Sequence, residues 1–149
     1  MQIIIHIMLK NWFYAPLILL FFCFSCKNEM RPIEYGKDNC VQCRMTVMNP
    51  KFGAGMLTSK GKVFTFDAGE CMVRYVKANG VNEKDQYFMS DYNKPGTLID
   101  ATKSSYLHGD SIQSPMGGNL ASFKDLASAK DAQSSLGGQI LTWEELIKK

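Results

Sequence analysis

Residues 52–80 read FGAGMLTSKGKVFTFDAGECMVRYVKANG, and this stretch predicts the basic unit of the fold. Residues 52–58 are short, mostly apolar and β-prone, and residues 62–66 have the same character. The sequence between them, Ser-Lys-Gly at 59–61, is typical of a turn. Two such runs joined by a glycine-containing turn predict a β-hairpin.

A helix is predicted directly after this hairpin. Asp67 and Glu70 have the spacing of a capping box, in which Asp67 is the N-cap and Glu70 bonds back to it. One face of the predicted helix is apolar, through Met72, Tyr75 and Val76. Gly80 then marks the helix end. The predicted unit is therefore strand, strand, helix.

The same order of elements is predicted again further along the chain. Residues 86–92 and 97–101 are β-prone and flank the turn sequence Asn-Lys-Pro-Gly, and residues 104–108 add a strand. A cap formed by Ser122 with Asp125 predicts a second helix, followed by a closing strand and a short last helix.

The predicted organisation is a signal peptide at 1–25, a polar tether at 26–39 and one domain at 40–149. The fold class is α+β, with two small ββα-type repeats at about 40–81 and 82–149. Each repeat alone is at the margin for an independent hydrophobic core, so we expect the two to pack together.

The composition excludes several classes of protein. The chain has 149 residues, with 17 Lys and Arg against 14 Asp and Glu, so its positive charge is not concentrated. A nucleic-acid-binding role is not expected, because that role requires a basic face. With 46% hydrophobic and 21% charged residues, the chain is also not expected to be disordered.

The N-terminus has the pattern of an export signal. Lys10 is the only charged side chain before Cys26, and residues 12–24 are almost entirely apolar. This run is too short to span a bilayer as a helix but suits the apolar region of a signal peptide. Ser25 before Cys26 resembles a bacterial lipoprotein cleavage site, in which Cys26 becomes the lipidated first residue. A plain signal peptide and a short membrane anchor are the alternatives.

Three cysteines follow Cys26, and they are Cys40, Cys43 and Cys71. An odd number cannot be fully paired within one molecule. Either one disulfide forms and leaves a free thiol, which would be a liability in an oxidising compartment, or the thiols serve as ligands.

Residues 38–45, Asp-Asn-Cys-Val-Gln-Cys-Arg-Met, form the sharpest motif. Its two cysteines can direct both sulfurs to one point, and Met45 adds a thioether. Cys71 lies at the predicted start of a helix, where the helix dipole favours the thiolate that binds metal. Met116 lies in the loop sequence Ser-Pro-Met-Gly-Gly, where a core methionine is not expected.

Thiolate and thioether ligands favour Cu(I) over hard ions. Thioethers distinguish a copper site from a zinc site, because zinc sites use Cys, His and carboxylate but rarely Met. The motifs favour copper, with structural zinc and a disulfide or redox role as alternatives.

Other sulfur and polar side chains have simpler explanations. His108 is interpreted as a solvated loop residue. Asp38 either bonds the amides of the cysteine loop or joins the metal shell, and the sequence does not decide. Four methionines are predicted to pack in the core or on the surface, namely Met48, Met56, Met72 and Met89.

Three motifs together resemble the NosL family, the copper-binding lipoproteins that accompany nitrous oxide reductase. They are Asp-x-Cys-x-x-Cys-x-Met at 38–45, Gly-Lys-Val-x-x-Phe-Asp at 61–67 running into Cys71-Met72, and Ser-Pro-Met-Gly at 114–117. Arg44 occupies a place where the family often has glycine. The resemblance covers nearly all of the chain after the signal peptide, and Cys26 fits the lipoprotein start.

This resemblance implies a fold and a function. The implied fold is the duplicated ββα architecture, related to organomercurial lyase. The implied function is a Cu(I) chaperone, lipid-anchored in the bacterial cell envelope and facing the periplasm, that serves nitrous oxide reductase or its assembly machinery. By matching position, the implied copper-site residues are Cys40, Cys43, Met45 and Met116, with Cys71 as an addition.

Two other functions stay open at this point. An enzyme that cleaves carbon–mercury bonds would use Cys43 and Cys71 with Asp67 as a nearby acid, although no feature requires that substrate and we do not expect an enzyme. A membrane-tethered structural zinc module is the other. A thiol–disulfide exchanger is disfavoured, because no thioredoxin-like context surrounds the cysteines.

Overall fold

The computed structural model describes residues 28–148. The signal peptide and the lipidation site at Cys26 lie outside these residues. Among the described helices, none has the length and apolar character needed to cross a bilayer. The elements in chain order are β1 (Ala54–Leu57), β2 (Val63–Phe66), α1 (Gly69–Asn79), β3 (Gln86–Asp91), β4 (Lys94–Asp100), a 3-10 turn (Ala101–Lys103), β5 (Ser105–His108), β6 (Leu120–Phe123), α2 (Leu126–Leu136), β7 (Gln139–Leu141) and α3 (Trp143–Lys148).

The strands form one sheet in the order β2-β1-β3-β6-β5-β7, with β4 paired to β3 beside this path. The hairpin β1–β2 leads into α1 and then into β3, which pairs antiparallel with β1. The hairpin β5–β6 leads into α2 and then into β7, which pairs antiparallel with β5. The two units meet where β3 and β6 pair in parallel, at Asp91 and Ser122. The predicted α+β fold with two packed repeats is therefore confirmed.

The predicted capping box at α1 is wrong. The N-cap is Ala68, with an extended backbone and no side-chain cap bond. Asp67 precedes the cap by one residue, so its carboxylate does not reach the free amides of the first turn. It instead accepts a hydrogen bond from the Met48 amide at 3.4 Å. Glu70, in the first turn, is buried and faces another loop.

The cap of α2 is Asp125, whose carboxylate accepts from the Ser128 amide at 2.8 Å. Ser122, predicted to share this role, lies in β6 and donates its hydroxyl to the Ser90 carbonyl. The error has a local cause, because β6 is four residues long and wholly buried, so it lacks the alternation that marks a half-buried strand.

Three of the four methionines predicted to pack in the core or on the surface lie in the core. Met56, Met72 and Met89 are at most 5% exposed and belong to one core cluster, which also contains Cys40 and Cys71. Met48, the fourth, lies on the surface with 65% of its area exposed. The cysteine thiols are therefore set into the same apolar core that holds α1 on the sheet.

The predicted tether needs a correction from Met30 to Asp38, because Met30 is half-buried with its thioether against Gly55 of β1. Ile33 is buried, and the Arg31 guanidinium donates two hydrogen bonds of 2.7 Å to the Asp38 carboxylate. The same carboxylate accepts from the Glu34 amide, and these bonds hold its pKa below the usual range. This segment therefore packs against the domain, and the Asp38 side chain folds the segment rather than bonding the cysteine loop.

Candidate metal centre

A tight loop presents the first two cysteines. Asn39 and Thr46 form an isolated antiparallel bridge at its base. Above the bridge, the Cys40 amide donates to the Met45 carbonyl at 2.8 Å, and the Arg44 amide donates to the Cys40 carbonyl at 2.9 Å. These bonds close the loop so that residues 40–45 turn back on themselves, which we call the cysteine knuckle.

The end of β2 holds this knuckle in place. The Val41 amide donates to the Thr65 carbonyl at 3.0 Å, and the Thr65 hydroxyl donates to the Asn39 carbonyl at 3.0 Å. Since β2 leads directly into α1, the same strand end fixes both the knuckle and the helix start that carries Cys71.

The structure brings the three thiols together. The Sγ atoms of Cys40, Cys43 and Cys71 all lie within 4.8 Å of one another, and we call this group the three-thiol cluster. All three are free cysteines. Cys40 and Cys71 are at most 1% exposed, whereas Cys43 is partly exposed. Two sulfurs of the cluster are therefore buried, and the third lies near solvent.

The three thiols differ in how readily they ionise. Burial opposes ionisation of Cys40, but backbone N–H groups, that of Cys43 first among them, outweigh it and lower the pKa. Burial and then the neighbouring Cys40 sulfur raise the pKa of Cys43. Burial, followed by the charges of the other two sulfurs, raises the pKa of Cys71 furthest, so the thiolate that its place at the helix start predicted is not favoured in the metal-free chain. Cys40 is thus the first anionic sulfur of the cluster, and the other two keep their protons more strongly.

The two methionines of the predicted site are placed differently. Met45 ends the knuckle with 55% of its area exposed. Met116 is partly buried and packs against two groups of core residues, one that contains Cys40 and Cys71 and a second that contains Leu107 and Phe123. Its loop is tied to α1, because the Ser114 hydroxyl and the Gly118 amide both donate to Glu70 Oε1. The loop is thereby attached to the residue next to Cys71.

Sequence reasoning missed Glu70, which it assigned to a capping box. No local signal pairs it with Ser114, because the two are 44 residues apart. His108 is exposed at the end of β5 and lies outside the cluster. Within residues 28–148, the three-thiol cluster is the one group of His, Cys, Asp or Glu arranged to hold a metal ion, and Asp67 is not part of it.

Arg44 has a backbone φ of 67° in the middle of the knuckle. An L-residue pays about 1–2 kcal/mol in this left-handed region, which glycine avoids. We therefore expect Arg44→Gly to stabilise the chain by roughly 0.5–1 kcal/mol after the added freedom of glycine in the unfolded state is deducted. Urea unfolding of the metal-free protein measures this.

The matched control for that substitution is Gln42→Gly, at an exposed position of the same knuckle without a positive φ. Glycine there adds only unfolded-state freedom and should destabilise by up to about 1 kcal/mol. Equal losses of stability in both variants would show that the left-handed backbone of Arg44 carries no strain.

Comparison with known proteins gives concordant matches. The family model NosL matches residues 33–149. A copper-binding lipoprotein NosL from Stutzerimonas stutzeri is 42% identical over 129 residues, covering 80% of this chain and 68% of that protein. The crystal structure of the copper chaperone NosL from Shewanella denitrificans superposes with a TM-score of 0.69 at 19% identity, covering 79% of this chain and 95% of that one, which is a likeness of fold.

Proposed function

The chain belongs to the NosL family, and from that premise we propose that it binds Cu(I) at the three-thiol cluster and delivers it for the assembly of nitrous oxide reductase. We propose further that lipidated Cys26 anchors it in the cell envelope with the domain facing the periplasm. Relatives named as a copper-binding lipoprotein and a copper chaperone support this assignment.

One observation carries the proposal, the convergence of three free thiols within 4.8 Å. Sulfur ligands select soft ions such as Cu(I). The buried sulfurs of Cys40 and Cys71 keep the ion from water, and the partly exposed Cys43 gives it a route of entry. Met45 and Met116 are the thioether donors that complete the proposed ligand set.

The one-sided exposure of the cluster also suits transfer. A partner can approach Cys43 and the exposed thioether of Met45 while Cys40 and Cys71 still hold the ion from below. Incoming ligands then replace the carrier's ligands one at a time, and the neutral thioether exchanges without moving a proton. A carrier needs this combination of firm holding and stepwise release.

The packed segment shortens the proposed link to the membrane. Met30 is half-buried with its thioether against Gly55 of β1, so that residues 26–29 separate the lipidated cysteine from the first packed side chain. Four residues span at most about 14 Å when fully extended. In this proposal the copper exchange therefore takes place close to the membrane surface.

Zinc is the alternative metal, and the geometry favours it less. A structural zinc site takes four ligands from Cys, His or carboxylate. The cluster supplies three, and His108 and Asp67 lie outside it. A lyase-like activity also lacks the acid it would need in the cluster, and turnover of an organomercurial compound would be its signature.

The test is a Cu(I) titration of the full chain, purified anaerobically in detergent, against a chromophoric chelator. We expect one Cu(I) per chain held against the chelator. The same result is expected when Cys26→Ser blocks lipidation and Cys23→Ser removes the other N-terminal thiol that the unprocessed chain then keeps. Stoichiometric zinc that Cu(I) does not displace would instead support the structural zinc module. Delivery is tested by the copper content of nitrous oxide reductase in cells that lack this chain.

A further inference from the structure

Glu70 is an acidic side chain held inside the domain. It is 7% exposed and lies in the first turn of α1, next to Cys71. The helix N-terminus favours a negative charge at this place, and Oε1 accepts from the Ser114 hydroxyl and from the Gly118 amide at 3.1 Å. Oε2 is buried without a hydrogen-bond partner. Burying a carboxylate in this way costs stability, so its position calls for a role.

The loop that Glu70 holds has a fixed shape. The Asn119 amide donates to the Ser114 hydroxyl at 2.9 Å, and the Gly117 amide donates to the Ser114 carbonyl at 3.1 Å. Gly117 and Asn119 both have positive φ angles, which turn the chain sharply on either side of Gly118. Met116 lies between the two groups that bond Glu70, so its backbone cannot shift without breaking one of them.

The loop backbone also approaches the Glu70 side chain of α1 very closely at Gly118. A Cβ atom there would lie 2.7–2.9 Å from the Cβ, Cγ and Cδ atoms of Glu70. Only glycine allows the loop backbone to approach the side chain this closely. Hydrogen bonds and close packing therefore both hold residues 114–119, which we call the methionine loop, against the start of α1.

We propose that Glu70 is a positioning residue, which fixes the Met116 thioether relative to the three-thiol cluster and thereby sets the affinity for Cu(I). The proposal rests on the proposed function, because it assigns Met116 as a ligand of the bound ion. The bond network joins the loop that carries Met116 to the residue that precedes Cys71, so the loop is fixed to the first turn of the helix that carries this thiol. Without Glu70 the loop keeps its internal turn but loses its attachment to the helix.

The experiment is a double-mutant cycle of Cu(I) affinity on the full chain with Glu70→Ala, Met116→Ala and the two combined. Partners that orient metal ligands typically contribute about 10–100-fold to affinity, and we expect a loss of about tenfold for Glu70→Ala. The double variant should bind no more weakly than Met116→Ala, because a misplaced thioether and a missing one are equivalent. Glu70→Gln, which keeps an acceptor oxygen, should recover most of the affinity.

A second readout needs no metal. Hydrogen exchange at the Gly118 and Asn119 amides should accelerate in metal-free Glu70→Ala, while exchange in β1 and β3 stays unchanged. Glu144→Ala, which removes an exposed first-turn glutamate of α3, is the matched control and should alter neither affinity nor exchange. If Glu70→Ala does not fold, Ser114→Ala takes its place in the cycle, because it removes the bond between Ser114 and Glu70. Exchange is then read at the Gly118 amide alone, because the Ser114 hydroxyl also accepts from the Asn119 amide.

The outcomes separate the two proposals. Losses that add up in the double variant, an unchanged affinity in Glu70→Ala, or unchanged amide exchange would each overturn the positioning role while leaving Cu(I) binding in place. A wild-type chain that does not bind Cu(I) would contradict the proposed function itself, and the positioning role would fall with it.

Discussion

Cu(I) binding is expected to weaken by about a hundredfold or more in Cys71→Ser, because this substitution removes a proposed ligand atom rather than a residue that positions one. Cys71 Sγ lies within 4.8 Å of the other two thiols and is the buried sulfur that α1 contributes to the cluster. A serine hydroxyl is smaller and is a poor ligand for a soft ion. Competition with a chromophoric chelator under anaerobic conditions measures the change.

The matched control is Met72→Leu, which replaces a fully buried sulfur at the neighbouring position of the same helix. It preserves volume closely and should leave Cu(I) affinity unchanged. Since Cys71 is itself in the core, a urea titration of each metal-free variant establishes that the folded state is being compared. Equal affinity in wild type and a folded Cys71→Ser would remove Cys71 from the ligand set.

The hairpin and the first helix could be predicted because their signals are local. A Ser-Lys-Gly turn joins β1 and β2, and Gly80 ends α1 at the expected place. The strand β6 was not predicted, because its pairing with β3 and β5 decides its structure and its four residues carry no alternating pattern. The packing of Ile33 was missed for a similar reason, since one apolar residue within a polar segment gives no periodicity.

The candidate site divides in the same way between local and distant contacts. The spacing of Cys40 and Cys43 predicted their convergence, since a short loop brings both sulfurs to one side. The approach of Cys71 depended on β2 pairing with the knuckle, which spacing alone does not establish. The attachment of the methionine loop to Glu70 could not be predicted, because it joins a buried acid to a serine 44 residues away. The ligand roles of Met45 and Met116 stay predictions.

The apparent affinity for Cu(I) is expected to rise steeply with pH between about 6 and 8. Metal binds the thiolate, so each thiol that is protonated in the metal-free chain must release its proton on binding. The pKa values of Cys43 and Cys71 are both raised, by burial first and by the neighbouring sulfurs second. Each released proton contributes about tenfold in affinity per pH unit, so two protons give up to about a hundredfold per unit.

This prediction is checked by chelator competition at several pH values, with the chelator's own pH dependence measured separately, and by proton release into a weakly buffered indicator solution. In Cys71→Ser the slope should fall by about one proton. An affinity that does not change with pH in the wild-type chain would mean that the thiols are already ionised before the metal arrives.

The pH dependence of the folding stability of the metal-free protein gives an independent check on the raised pKa of Cys71. A thiol whose pKa is raised in the folded state stays protonated there while the unfolded chain ionises near pH 8.5. The folded state then holds more protons, so this contribution to stability is complete below that pH and is lost as the pH rises above it. Cys40, with its lowered pKa, acts in the opposite direction, so the comparison that isolates Cys71 is wild type against Cys71→Ser. The wild type should lose more stability than the variant between pH 8 and pH 10, and parallel losses would place the ionisation elsewhere.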